Sequence, residues 1–209
     1  MRQSRLGGRR ARGVTLVEVL VSMLIMALGM VGLAALQGHT LRYQMGSAQR
    51  AQLSGLLSDY AERVRANVLA APGVPGAPAG AYLLADTWAA QAAESPPAAT
   101  KDCGASGGNA CSAAELAAYD MAQWRGAVRR ELPRGAVRVA GSALTGLTVT
   151  FMWADKDFGD GGTAGFTARS SNVCAAGMTG AALQTCCPQD ALGPGTTSGV
   201  RCANFSVTP

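Results

Sequence analysis

The chain has 209 residues, enough for one medium-sized domain with an appendage or for two small domains. Aromatic residues are scarce and glycine is abundant, with 27 residues, so a globular core must use small side chains and a few large anchors. Of the 18 basic residues, five arginines precede Val14, which leaves 13 basic and 13 acidic residues in the remainder. Because the remainder is balanced, a nucleic-acid partner is excluded.

Residues 14–36 form an apolar run in which Glu18 is the only charged side chain. A helix over this run reaches about 34 Å, which is enough to cross a hydrocarbon layer about 30 Å thick. The arginine-rich, acid-free residues 1–13 favour the cytoplasmic side, so everything after residue 36 is expected outside the cytoplasm. The sequence therefore predicts a single pass through a membrane, with the head outside the cytoplasm.

Glu18 distinguishes between the possible interpretations of this apolar segment. A secretory signal peptide has an apolar region of about 7 to 15 residues before a small-x-small cleavage site, and this run is longer and contains an acid. A plain membrane anchor fits the length but gives no reason for a carboxylate, which costs about 2.5 to 3.5 kcal/mol within a membrane helix. An acid in this position therefore indicates a function.

The helical pattern continues beyond the apolar run, and nothing at residues 36 and 37 ends it. Larger apolar residues recur mostly at gaps of three or four and make one amphipathic stripe over residues 37–71. They are Leu41, Met45, Leu53, Leu56, Leu57, Tyr60, Val64 and Val68. We predict one continuous helix over about residues 14–70, ended by three prolines and two glycines in residues 72–78.

The head is predicted to be α+β. Residues 72–111 are rich in alanine, glycine and proline and read as a loop region, with Trp88 anchoring a short helical piece. Ser112 and Glu115 form a capping-box pattern at the start of a second helix. Two alternating, valine- and threonine-rich segments before residue 155 predict antiparallel strands, which complete a unit over residues 112–155.

Six cysteines fit an oxidising compartment, which is where the expected orientation places them. Cys103 and Cys111, which close a glycine-rich loop, are the first expected disulfide. In the C-terminal region, residues 156–209, the adjacent Cys186 and Cys187 are too close to bond each other, so each pairs with Cys174 or Cys202. A zinc site is disfavoured because the spacing has no C-x₂-C pair and the chain has one histidine.

No catalytic, cofactor or metal site is predicted. Asp155, Asp157 and Asp160 lie in a glycine-rich stretch, but the stretch lacks ligands that an EF-hand loop requires, and we interpret it as a polar turn. His39, the only histidine, is interpreted as an interfacial polar residue. A lone histidine and the absence of a phosphate-binding glycine loop argue against an enzyme.

Residues 13–18, Gly-Val-Thr-Leu-Val-Glu, strongly resemble the processing site of type IV pilins and their relatives. The resemblance implies that prepilin peptidase cuts between Gly13 and Val14, removes the leader 1–13 and methylates Val14. It also implies that Glu18 pairs with the freed amine of a neighbouring subunit during fibre assembly. Relatives most often begin the mature chain with phenylalanine, where this chain has Val14.

Further segments are similar to the PilV class of minor type IV pilins, also called pilus modification proteins. These are residues 32–42, 60–67 and 111–135, and the strand that ends at residues 153–155. The resemblance implies a low-abundance subunit at or near the pilus tip, which primes assembly together with other minor pilins and the major pilin and supports a tip adhesin, adhesion or twitching motility. Residues 156–209 resemble no family.

Two other functions stay open at this point. A minor pseudopilin of type II secretion shares the signature at residues 13–18, and only the segments at 60–67 and 111–135 argue against it. The other alternative is a cysteine-rich exported binding module held by an uncleaved membrane anchor.

Overall fold

The computed structural model describes residues 13–95, 98–104, 110–155, 172–194 and 199–209. The chain divides into two compact units, Met1–Gly46 and Ser47–Pro209. The second unit is called the head below. Each unit is described by itself.

The longest element is helix α1, Leu16–Ala66, with 51 residues, and it confirms the expected long N-terminal helix. Its first part is apolar and exposed. Its second part, within the head, buries Leu53, Leu56, Tyr60 and Val64. The helix ends four residues earlier than expected and is followed by a 3₁₀ turn, Val68–Ala70.

Two residues of the expected buried stripe are exposed. Leu41, in the first unit, is 55% exposed, and Val68 is 58% exposed. Val68 follows the end of α1, where the tighter 3₁₀ turn no longer keeps the helical face of the preceding residues. The side chain of Met45 lies outside the described part of the structure.

Two further helices begin where the sequence indicated. Helix α2, Trp88–Ala93, starts after Thr87, whose side chain accepts a hydrogen bond from the Ala90 amide. Helix α3, Ala113–Glu131, starts with the predicted capping box between Ser112 and Glu115. The hydrogen bond from the Ser112 amide, with help from Lys101, holds the pKa of the Glu115 carboxyl below its ordinary value.

The head contains a three-stranded antiparallel sheet in the order β1-β2-β3, which confirms the α+β class. The strands are β1, Ala136–Ser142; β2, Gly146–Ala154; and β3, Val200–Val207. The first two correspond to the predicted strands. The third strand comes from the C-terminal region, for which the sequence analysis gave no fold, and it pairs Ala203 with Phe151.

The two faces of the sheet carry separate clusters of buried residues. One face packs with α1 and α3 around Trp124, whose indole donates to the Leu56 carbonyl at 2.8 Å and whose ring lies 4.7 Å from that of Tyr60. The other face packs Met152 with Trp88 and with the short helix α5, Gln189–Leu192, while a second short helix, α4, Gly180–Thr185, contacts β3. The expected role of Trp88 as an anchor agrees with its burial.

A buried polar network joins the end of α1 to α3 and to the loop between α1 and α2. Asp120 accepts hydrogen bonds from the Tyr82 hydroxyl at 2.5 Å and from Arg63 at 3.0 Å. The Tyr60 hydroxyl donates to the Tyr82 carbonyl at 3.0 Å, and Asn67 donates to the Tyr82 hydroxyl at 3.2 Å. These bonds hold Tyr82 at a φ of 58°, a left-handed conformation that few non-glycine residues adopt.

Asp120→Ala is expected to destabilise the head by about 2 to 3 kcal/mol, because it leaves the buried Tyr82 hydroxyl and the half-buried Arg63 without their acceptor. Urea unfolding of the full chain in detergent, followed by tryptophan fluorescence, measures the change. Asp59→Ala is the matched control, since Asp59 also pairs with Arg63 but is 40% exposed, and it should cost about 0.5 kcal/mol or less. Equal losses in both variants would contradict the network.

Alkaline pH is expected to weaken the head. Burial raises the pKa of the Tyr60 hydroxyl, so the folded chain keeps a proton that the unfolded chain releases near the ordinary tyrosine pKa of about 10. The contribution of this tyrosine to the free energy of unfolding is therefore complete below a pH of about 10. Above that pH it falls by about 1.4 kcal/mol per pH unit. Urea midpoints between pH 8 and 11.5 test this, and Tyr60→Phe should show a shallower fall than the unchanged chain.

Candidate functional site

The predicted processing site lies immediately before helix α1. Gly13, Val14 and Thr15 have no regular secondary structure, and the helix starts at Leu16. The Thr15 side chain accepts a hydrogen bond from the Glu18 amide at 3.3 Å, and the Thr15 carbonyl accepts from the same amide at 3.1 Å. Thr15 is therefore the N-cap of α1. The helix begins at the next residue, so the Gly13–Val14 bond lies in non-helical chain.

The sequence analysis missed this cap, although the pattern was visible. Thr15 and Glu18 have the Thr-x-x-Glu spacing of a capping box. The cap fixes Glu18 in the first turn of α1, where the partial positive charge of the helix N-terminus favours a carboxylate. The same residue that interrupts the apolar run thus also suits the start of a helix.

Gly13 and Val14 are accessible. Both are exposed, and a Cβ atom added at Gly13 would meet no atom within 4 Å. The described part of the fold therefore imposes no steric requirement for glycine at position 13.

Among the residues that the structure describes, the Glu18 carboxylate has no counter-charge. Glu18 is exposed, and within the described ranges no basic side chain forms an ion pair with it. The nearest polar contact is to its backbone, where the Ser22 hydroxyl donates to the Glu18 carbonyl at 2.7 Å. A carboxylate without a counter-charge is costly once its surroundings become apolar.

The helix surface around Glu18 is apolar and uncovered. Leu16–Gly38 has a mean hydropathy of 2.5, and none of its most apolar stretch is buried within the chain. By length and composition this segment can cross a membrane. A helix that is apolar on all sides is normally buried, so this one requires lipid or the helices of other molecules around it.

The structure joins the six cysteines in three disulfides and leaves none free. It brings together Cys103 and Cys111, the first expected pair. Of the alternatives that the sequence left open, it forms Cys174–Cys186 and Cys187–Cys202. The last bond connects β3 to the segment between α4 and α5 and so fixes the C-terminal region to the sheet.

The remaining candidates contribute nothing to this site. Asp155 pairs with Arg201 at 2.5 Å, whereas Asp157 and Asp160, the other carboxylates of the considered calcium loop, lie outside the described residues. The side chain of His39 also lies outside them.

Comparison with known proteins agrees with the geometry at the N-terminus. The family described as the prokaryotic N-terminal methylation motif matches residues 8–34. The matched residues cover the end of the leader and most of the apolar part of α1, and the motif is that of type IV pilins and pseudopilins, structural subunits that are processed at this site. No curated protein and no solved structure matches the chain.

Gly13→Leu is expected to block removal of the leader while leaving the chain folded, because the new side chain enters open space in this chain but must fit the peptidase. Intact-mass measurement of the membrane form checks this: the unchanged chain should lack residues 1–13 and carry one added methyl group, and the variant should keep both the leader and an unmethylated Val14. Gly38→Leu is the control, since its added side chain also enters open space but lies far from the cleavage position. Cleavage of Gly13→Leu at the normal rate would contradict the assignment.

Proposed function

We propose that this chain is a minor type IV pilin of the PilV class, cleaved by prepilin peptidase between Gly13 and Val14 and methylated at Val14. The mature subunit waits in the inner membrane with its head in the periplasm. It then enters a complex with other minor pilins and the major pilin, which primes the fibre, and it lies at or near the extracellular tip, where it supports an adhesin.

The main support for this proposal is the position of Glu18, which lies five residues after Gly13 in the first turn of an exposed apolar helix and has no ion-pair partner among the described residues. Cleavage before Val14 creates an amine on every subunit. When apolar helices of several subunits pack together, the amine of one is the matching charge for the carboxylate of its neighbour. No additional residue of this chain is needed to supply the counter-charge.

The energetics indicate that the pair of Glu18 and the neighbouring amine sets the axial register between subunits more than it adds to their affinity. Removing two charges from water costs several kcal/mol per ion, and their attraction in a low-dielectric surrounding offsets this cost only when the geometry is close. Helices that slide past each other by one turn leave both charges unpaired. The pair therefore selects one axial offset between subunits, while the apolar faces supply most of the association energy.

The proposed organisation follows from this role. Residues 1–13 are the leader, 14–36 the membrane and fibre-core helix, and 37–71 its amphipathic continuation. Residues 72–111 form the loop region, 112–155 the helix and first strands of the head, and 156–209 the cysteine-rich region. The assignment to the PilV class rests on the resemblance of the segments at 60–67 and 111–135.

A minor pseudopilin of type II secretion is the second candidate, and the methylation motif at residues 8–34 favours it equally. The neighbouring genes distinguish the two functions: other minor pilins and a large tip protein support a pilus, and secretion components support a pseudopilus. A third function, an exported binding module on an uncleaved anchor, requires that the membrane form keep residues 1–13.

Glu18→Ala is expected to insert in the membrane normally but to enter fibres poorly, with incorporation reduced about tenfold or more, since loss of one buried charge partner costs several kcal/mol. Immunoblots of sheared surface fibres and of membranes measure the two pools. Glu18→Gln should behave like Glu18→Ala if charge, and not side-chain size, is what assembly requires.

Ser22→Ala is the matched control for the Glu18 variants. Ser22 lies one turn further along α1 and donates only to the Glu18 carbonyl, so its loss leaves the carboxylate in place and should leave incorporation near the unchanged level. Equal incorporation of Glu18→Ala and the unchanged chain would overturn the proposed role of the carboxylate.

A further inference from the structure

A groove runs along the outer edge of strand β3 in the head and encloses a cavity of about 470 Å³. We call it the β3-edge groove. Helix α1 lies on one side of it, helix α4 lies on the other, and the strand forms its floor. The residues that define these three walls are Arg50 and Leu53 of α1, Gln184 and Thr185 of α4, and Trp153 and Asn204 of the sheet.

The opposite edge of the sheet, strand β1, is covered by hydrogen bonds from Leu84 and Gln91. These bonds show which backbone groups of β1 point away from β2. Leu84 exchanges two backbone hydrogen bonds with Val139 of β1, at 3.1 and 2.9 Å. The Gln91 side chain does the same for Val137: its amide nitrogen donates to the Val137 carbonyl at 2.7 Å and its oxygen accepts from the Val137 amide at 3.2 Å. The backbone groups of Val137 and Val139 therefore point away from β2.

This register fixes which groups of β3 point outward. Since alternate residues of an antiparallel strand bond to opposite neighbours, Arg138 and Ala140 bond to Thr150 and Thr148, and the odd-numbered residues of β2 bond to β3. On β3, Ala203, Phe205 and Val207 then face β2. The backbone N–H and C=O groups of Cys202, Asn204 and Ser206 face outward, and no hydrogen bond from another described segment reaches them.

An unpaired strand edge is a template for another strand. The β1 edge is blocked by Leu84 and Gln91, whereas the β3 edge opens into the groove. The walls of the groove also offer amide and hydroxyl side chains at Gln184 and Thr185. The shape and the backbone groups together fit an extended peptide.

The charges in the groove indicate the chemistry of that peptide. The described residues that line the groove include two arginines and no carboxylate. Arg201 is paired with Asp155, but Arg50 is exposed and forms no ion pair with another described residue. In addition, the Trp153 indole nitrogen is buried and has no acceptor within the described part of the chain, although Trp153 is only 3% exposed. The buried Trp153 indole requires an acceptor, and the exposed Arg50 is available to pair with a carboxylate, which favours an acidic peptide.

We propose that the β3-edge groove binds an extended acidic segment of another protein, which adds to the sheet as a fourth strand and places a carboxylate against Arg50. Backbone bonds to Asn204 and Ser206 supply sequence-independent affinity, and Arg50 supplies the preference for an acid. A second copy of this chain is a poorer occupant, because pairing two β3 edges would bring two arginine-lined grooves together.

The test uses the full chain in detergent micelles and a fluorescent peptide of about nine residues, long enough to pair along an edge strand, with alternating valine and threonine and one central glutamate. Fluorescence anisotropy should detect binding of this peptide. The same peptide with glutamine in place of the central glutamate should bind with a dissociation constant at least fivefold higher. A peptide with proline at alternate positions should not bind, because it lacks the backbone donors.

Two variants locate the binding site. Ser206→Pro removes one outward donor without removing a bond to β2 and should weaken binding at least tenfold. Arg50→Glu should weaken the glutamate peptide selectively, and Arg65→Glu, which reverses a charge on the same helix beside Glu62, is its control. Far-UV circular dichroism and the state of the disulfides test whether Ser206→Pro remains folded. If it does not, the comparison of Arg50→Glu with Arg65→Glu decides whether the peptide binds in the groove.

The possible results separate the occupants. No binding of either peptide, or equal binding by the unchanged chain, Ser206→Pro and Arg50→Glu, would overturn the proposal. A dimer of the unchanged chain that Ser206→Pro dissolves would also overturn it, by identifying a second copy as the occupant. Because purified chain is used, the outcome is independent of leader cleavage and fibre incorporation.

Discussion

The head depends on the packing of the second part of α1 beneath the sheet and against α3. The Trp124 indole donates to the Leu56 carbonyl, and its ring contacts both Tyr60 of α1 and Phe151 of β2, so one side chain joins all three elements. A buried indole needs a hydrogen-bond acceptor, and a helical carbonyl supplies it without disturbing the helix. With only three tryptophans in the chain, few other anchors of this size are available to the core.

Helix α1 serves two different surroundings, and its residue types follow this division. The first part is apolar on all sides and has no cover in its own chain, while the second part has one buried face and charged residues elsewhere. The Asp120 network adds a polar connection at the end of the helix, where Arg63 bonds to both Asp59 and Asp120. Glu18 is the exception in the apolar part, and the proposed pairing with the amine of a neighbouring subunit accounts for its presence there.

The C-terminal region turns a hairpin into a sheet with two different edges. Strand β3 pairs with β2, and the disulfides Cys187–Cys202 and Cys174–Cys186 hold the segment that follows α4 near β3, which α4 itself contacts. On the other edge, Leu84 and Gln91 satisfy the outward groups of β1. This asymmetry favours the β3 side for the proposed added strand, where Arg50 has no ion-pair partner among the described residues.

The sequence by itself determined the long helix, the capping box at Ser112, the two strands of the hairpin and the α+β class, because each depends on local signals such as periodicity, a cap or alternation. The methylation motif was also local, as Gly13 and Glu18 are five positions apart in one segment. Strand β3 was missed, although Val200 and Cys202 alternate with polar residues, because a short segment gains strand structure only from a neighbour more than forty residues earlier in sequence.

Only the tertiary structure decided the choice between Cys174 and Cys202 as partners of Cys186 and Cys187, since spacing allows both pairings and the position of β3 allows one. The roles of Gln91 and Asp120 were equally hidden, because a buried polar side chain has meaning only through its partners, and these come from distant elements. Local backbone preferences depend on neighbouring residues. Sheet edges, grooves and polar networks instead arise from contacts between segments that are distant in sequence.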